Sequence, residues 1–274
     1  MGLFIQTNVA SLVAQNNLFR TQQSLGKNFE RLSSGFRINS AADDAAGLGI
    51  SKSINAQVRS LAVAERNAND GISMASTADG AGEQIHGILT RLRELAVQGS
   101  NGTVNSTDSA NLNVEFQAQF SEIDRIAAVA TFNGRNLLQN AASAISFQVG
   151  INNTCDDRLD ISFGGGSSSS LGLGSANVAN ISSSQAAITT IDTAITRMST
   201  LREGWGSAIN RMTTTIANLQ SQSTNLSASL SRIRDVNVAE ETAALSRNQV
   251  LLQAGAAVLG QANQAPQLAL SLLR

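Results

Sequence analysis

Few residues in this sequence are of a type that could do chemistry, and none has the neighbours that chemistry requires. Asp43 and Asp44 are adjacent carboxylates, the raw material of general acid–base catalysis. Consecutive residues on a helix do not share a face, however, so the pair reads as a helix cap or solvated turn. His86 is the single histidine and lies beside an apolar face with no serine or cysteine nucleophile motif, which makes it an ordinary packed or surface residue. Cys155 is the single cysteine and can form neither an internal disulfide nor, with one histidine, a His-rich metal site. Gly164-Gly165-Gly166 lacks the Gly-Lys-Ser/Thr ending and strand-to-helix setting of a phosphate cradle. Triplets such as Asn101-Gly102-Thr103 and Asn152-Asn153-Thr154 arise freely in a chain so rich in Asn and Ser. The expectation is a chain with no catalytic residue, no cofactor and no metal.

Composition points the same way. Of 274 residues, 14% are charged and 4% aromatic, both low for a globular enzyme, and Ala, Ser, Asn, Gln and Thr fill the difference. A formal net charge of -1, with Lys27 and Lys52 as the only lysines, provides no broad positive field, so nucleic acid is not an expected partner. The first charge is Arg20, without the basic start of a secretory signal peptide, so any export is expected to take another route. No residue from Asn248 to Leu273 is charged, but Gln249, Gln253, Gln261, Asn263, Gln264 and Pro266 interrupt its apolar character, and no membrane span is expected.

The elements that would position any function are long helices. Ile188, Ile191, Ile195, Met198, Arg202, Trp205, Ile209, Met212, Ile216, Leu219, Ser223, Leu226, Leu230 and Ile233 alternate spacings of three and four, the mark of a sustained coiled-coil seam. Ile54, Val58, Leu61, Glu65, Ala68, Ile72 and Ala75, then Ile85, Leu89, Leu92 and Ala96, repeat that spacing and can pack lengthwise against it. Leu112, Phe116, Ile123 and Ile126 predict a third helix beyond a polar loop at 99–107. The helical signal stops at Phe132-Asn133-Gly134. Ile145, Phe147 and Val149, then Leu159, Ile161 and Phe163, alternate with period two and predict a β-hairpin, followed by a flexible Gly/Ser connector. The fold class is mainly α, a long antiparallel helical coiled-coil rod with one small β-hairpin. Its expected parts are terminal helices at 1–45 and 235–274, rod halves at 46–140 and 176–234, and the hairpin with its connector at 141–175.

Both chain ends carry apolar stripes. Ile5, Leu12 and Phe19 recur at sevens and lead to Leu25, Phe29 and Leu32; Val238, Leu245, Leu252 and Leu259 do the same at the other end. A neighbouring stripe of Ala244, Leu251 and Val258 makes the C-terminal face wider than one partner helix would cover. Helices draw most of their stability from burial, so the ends are expected to be poorly ordered until other copies supply it.

IQTNVASLVAQNNL and ERLSSGFRINSAADDAAGLGIS near one end, and SRIRDVNVAEETAALSRNQVLLQAGAAVLGQANQAPQLALSLL at the other, resemble the bacterial flagellins. LTRLRELAVQGSN, EIDRIAAVATFNGRNLL and ISFQVG resemble that family too. The resemblance implies a minimal, core-only flagellin: a secreted homopolymer subunit of the helical filament used for swimming, without the family's large outer domains. It implies type III export with an export chaperone on the C-terminal helix, and cap and hook-junction proteins as further partners. By the same resemblance Arg91, Leu95 and Glu115 occupy positions where many flagellins meet Toll-like receptor five, with Thr90 standing where glutamine is usual. The alternatives are a hook–filament junction protein and, from another class, a chemoreceptor-type signalling rod, which would form a stable dimer.

Overall fold

The computed structural model describes residues 7–271, with side chains as far as residue 264. It is mainly α, with six helices among the described residues: α1 (Val9–Ser34), α2 (Ala45–Gly99), α3 (Ser106–Val129), α4 (Ser168–Leu171), α5 (Ile181–Arg234) and α6 (Val238–Ser271). Strands β1 (Thr131–Phe132) and β2 (Arg135–Asn136) form one antiparallel pair, and β3 (Ser143–Gln148) and β4 (Arg158–Phe163) another. Two compact units divide the chain: 57–224, and 1–56 with 225–274. The divisions fall inside α2 and α5.

Within 57–224, α2 and α5 run antiparallel along the expected seam. Ile191, Met198, Trp205, Met212 and Leu219 of α5 are buried, as are Leu61, Ala68, Ala75, Ile85, Leu89, Leu92 and Ala96 of α2. Two polar seam positions, Arg202 and Glu65, find hydrogen-bond partners across the interface. Arg202 Nε donates to Asp79 Oδ1 at 2.7 Å, and Gln220 Nε2 donates to Glu65 Oε1 at 2.7 Å. Helix α3 adds Phe116, Ile123 and Ala127 to the same core, with Phe116 edge-on to Phe120 at 4.9 Å. Asn105 starts this helix by accepting from the Asp108 N–H at 2.8 Å.

The predicted hairpin forms in the expected alternation, pairing Ile145 with Ile161 and Phe147 with Leu159, with Leu159, Ile161 and Phe163 buried. Trp205 joins it to the helices. Its ring is fully buried, its Nε1 donates to the Ser162 carbonyl at 3.0 Å, and it lies so close to Gly82 that a Cβ there would stand 2.9 Å from Cζ3. The shorter β1–β2 ribbon, where periodicity only stops, turns at Asn133 and Gly134, both at positive φ, the pairing that two-residue hairpins favour.

The Gly/Ser connector differs from expectation, since it is packed. Gly165 and Gly166 N–H groups donate to the Asn140 and Leu138 carbonyls at 2.8 and 2.9 Å. Gly164 sits at φ +116, a conformation other residues rarely adopt, and a Cβ there would also strike the Asn140 and Ala141 backbone. Asp124 accepts from both the N–H and the hydroxyl of Ser168, and Leu171, Leu173 and Val178 are buried beyond it. Composition suggested freedom; long-range backbone partners remove it.

In the other unit, α1 and α6 pack along each other. Gly35 closes α1 in the left-handed conformation. The next residues bridge to the α5–α6 connection: Phe36 pairs with Asp235, Arg37 N donates to Arg234 O at 2.7 Å, and Val236 N donates to Gly35 O at 3.0 Å. The Arg234 guanidinium lies 3.8 Å over the Phe36 ring centroid.

Trp205→Ala would leave a cavity where α2, α5 and the hairpin meet, and is expected to cost about 3–5 kcal/mol in urea unfolding followed by circular dichroism. A loss under about 1 kcal/mol would show that the joint is not a stability centre.

Candidate assembly surface

Helix α1 turns a 3–4 spaced face toward α6: Ser11, Ala14, Leu18, Thr21, Leu25, Asn28 and Leu32 are buried or half-buried while their neighbours are exposed. The matching face of α6 carries Glu241, Leu245, Asn248, Leu252, Gly255, Leu259 and Ala262. Leu18 reaches over Gly255, where a Cβ would stand 2.8 Å from Leu18 Cδ1. Polar groups are set among the apolar ones. Asn248 Nδ2 donates to Asn28 Oδ1 at 3.2 Å, Ser11 Oγ donates to Asn263 Oδ1 at 2.8 Å, and Asn8 Nδ2 donates to the Ala262 carbonyl at 2.7 Å. Arg31 and Glu241 approach to 3.8 Å.

The stripes read from sequence therefore divide into two groups. Leu25, Leu32, Leu245, Leu252 and Leu259 lie half-buried on the inward faces. Leu12 and Phe19 of α1, 56% and 60% exposed, and Leu251 and Val258 of α6, 50% and 57% exposed, lie outside that seam, whereas Val238 falls on the Leu245 repeat and is exposed as the first residue of α6. Ile5 lies outside the described residues. Val9, Val13, Phe29 and Val250 extend the exposed apolar set. One helix pair has used one face of each member, and a second apolar face on each is left uncovered, more than scattered surface residues would present.

Elsewhere the candidate chemistry dissolves into structural roles. Asp44 caps α2 by accepting from the Gly47 N–H at 2.8 Å. Asp43 accepts from the Ser40 N–H and hydroxyl, both at 3.0 Å, and from the Asn39 N–H at 3.3 Å. The Ser40 backbone bond first, then the Ser40 hydroxyl, and to a smaller extent Asn39 and Lys27, hold its carboxyl below the ordinary value of 3.8. His86 is partly buried in α2, and Cys155 is exposed on the hairpin turn. Among the described residues no three His, Cys, Asp or Glu side chains gather as metal ligands, and no helix is long and apolar enough to cross a membrane. An open groove along the α1–α6 pair is lined by Lys27, Arg31 and Arg247 together with Glu240 and Glu241, so two carboxylates offset all but one of the three cations.

Arg91 and Glu115 do meet, across α2 and α3. Arg91 Nε and Nη2 both donate to Glu115 Oε1, at 3.1 and 2.9 Å, and Nη1 donates to Glu94 at 2.9 Å, which raises the Arg91 pKa. Leu95 is not beside them on the surface. Its side chain is fully buried in the core, because it stands one helical turn after Leu92 and two after Ile88 on the buried side of α2.

The Asp43 shift fixes a pH dependence. A depressed folded pKa stabilises the turn above the unfolded value and stops doing so as pH falls through the folded one. Nuclear magnetic resonance titration is expected to give Asp43 a midpoint below that of an ordinary aspartate, with amide protection at Asn39 and Ser40 lost on the acid side of it. An unshifted midpoint would remove the turn's hydrogen bonds as its cause.

Comparison with known proteins accounts for this arrangement. A family model of the bacterial flagellin N-terminal helical region matches residues 5–143, and one of the C-terminal helical region matches residues 188–273. A flagellin of Halalkalibacterium halodurans is 42% identical over 272 residues, covering 99% of this chain and 100% of the relative. One from Bacillus subtilis is 39% identical over 303 residues, covering 98% and 99%. The crystal structure of Bacillus cereus flagellin superposes with a TM-score of 0.50 at 33% identity, over 60% of this chain and 94% of that one. The chain belongs to the bacterial flagellins, the structural subunits of the flagellar filament.

Proposed function

We propose that the α1–α6 pair is the part of the subunit that drives filament formation, through two apolar faces with separate tasks. The inward face, Leu25, Leu32, Leu245, Leu252 and Leu259, joins the two helices of one subunit. The outward face, Leu12, Phe19, Leu251 and Val258, is covered by other copies, as is Val238 at the start of α6, and Ile5 continues the spacing of Leu12 and Phe19. The observation that supports this is the exposure of Leu12, Phe19, Leu251 and Val258 on helices whose other faces are already occupied. Residues 1–45 and 235–274 then form the filament core, with 46–140 and 176–234 as the rod around it and 141–175 as its hairpin and strap. In that reading the inward face forms the helix pair within one subunit, and the outward face gains its cover as copies accumulate.

The uncovered apolar ends also support passage out of the cell in an unfolded state, with an export chaperone shielding α6, a cap protein guiding addition and hook-junction proteins receiving the first subunits. For Arg91 and Glu115 the mutual ion pair supports a role in holding α2 to α3 and in packing between copies. Contact with Toll-like receptor five would use Arg91 and Glu115 alone, since Leu95 faces the core. A signalling rod would bury its apolar faces within a dimer, leaving no use for a second face on each terminal helix.

The two faces can be separated by substitution. Leu251→Asp is expected to leave the α1–α6 pair and the 57–224 unit helical but to abolish filaments in negative-stain images. Leu252→Asp is expected to abolish filaments and also to lose the helical signal of the pair, because it places a charge in the inward seam. Normal filaments from Leu251→Asp would count against the outward face as the contact between copies.

A further inference from the structure

The α1–α6 seam holds more polar side chains than a helix pair needs. Asn28 is only 6% exposed, and a buried amide costs free energy that an apolar residue at the same position would not. Its partner Asn248 lies directly across from it, Leu18 lies across from Gly255, and Arg31 lies across from Glu241. These layers are of different kinds: amide against amide, large against small, cation against carboxylate. We propose that the Asn28–Asn248 pair, with Leu18 over Gly255 and Arg31 beside Glu241, is a register lock that selects one alignment of α1 against α6.

The need for such a lock follows from the repeat. Leu25 and Leu32 on one helix, and Leu245, Leu252 and Leu259 on the other, recur every seven residues, so sliding by one heptad would leave Leu against Leu and cost little. The polar layers do not survive that slide. In one direction Asn28 comes beside Glu241 and Leu18 beside Asn248. In the other, Asn28 comes beside Gly255 and Leu18 beside Ala262. In the second slide the Asn28 amide faces glycine and loses its partner, and in the first it draws Glu241 away from Arg31 and opposes a leucine to the Asn248 amide. A buried asparagine is known to fix coiled-coil alignment at some cost in stability. Two copies of α1 aligned in parallel would set Arg31 against Arg31, so the same layer favours α6 over a second α1.

Alignment matters because it places the outward residues of the two helices relative to one another. A shift of one heptad moves Leu251 and Val258 by about 10 Å along Leu12 and Phe19, and the surface offered to the next copy is no longer the same. The inference rests on the proposed assembly role of this pair, but alignment can be read without it.

The test uses the full chain with Cys155→Ser and one engineered pair, either Leu18→Cys with Gly255→Cys or Leu18→Cys with Ala262→Cys, oxidised under polymerising conditions. With both asparagines present, cross-linking is expected for 18–255 and only at trace level for 18–262. In Asn28→Leu with Asn248→Leu, the 18–262 product is expected to rise at least several-fold, while helical content is kept or increased. Exclusive 18–255 cross-linking in that double variant, or loss of the helix pair, would overturn the register lock. Mixed cross-links with unchanged filaments would uphold it and count instead against α1 and α6 as the assembling pair.

Discussion

A helix can offer only part of its circumference to one neighbour, and this geometric limit organises the molecule. Where two long helices also meet a third helix, a hairpin and a strap, as around Trp205, apolar faces close on all sides and a core results. Where only two helices meet, as with α1 and α6, each keeps a side to solvent, and that side here is apolar. The same repeat thus gives a self-contained unit in one part of the chain and an unfinished surface in another. Membership of the flagellins supports the proposal that other copies cover the unfinished surface.

The scarcity of charge fits that division. In the seams Arg202 pairs with Asp79 and Arg31 with Glu241, and pairs at the surface, such as Arg93 with Asp192, tie one helix to the next. Exposed ion pairs of this kind add little to stability. Apolar contact and small-residue packing carry the fold, which is why a chain with so few charged and aromatic residues can sustain helices of this length.

Much of this was legible in the sequence because it depends on local period. The α5 seam from Ile188 to Ile233, the α2 seam and the alternation in the hairpin all appear where periodicity puts them, since each buries one face against an extended partner. What was not legible depends on distant partners. The strap from Gly164 to Val178 reads as flexible because its glycines and serines have no period, yet it is held by the carbonyls of Leu138 and Asn140 and by Asp124. The terminal stripes showed that two apolar faces exist, but not that Leu252 would turn inward and Leu251 outward, because period alone cannot say which face meets α1. The resemblance names Leu95 as a possible receptor contact, whereas its own spacing belongs to the buried set. Asn28 and Asn248 were passed over as polar residues, although they fall on the same 3–4 spacing as the leucines around them.

The bridge between Phe36 and Asp235 has a mechanical meaning. The chain passes from α1 to α2 and from α5 to α6 through short connections that are stitched to each other by backbone hydrogen bonds and by Arg234 on the Phe36 ring. Tension entering along either terminal helix is therefore shared by two strands of chain, not borne by one. In a propeller turned from its base, such a joint would let torque pass through every subunit by a doubled path.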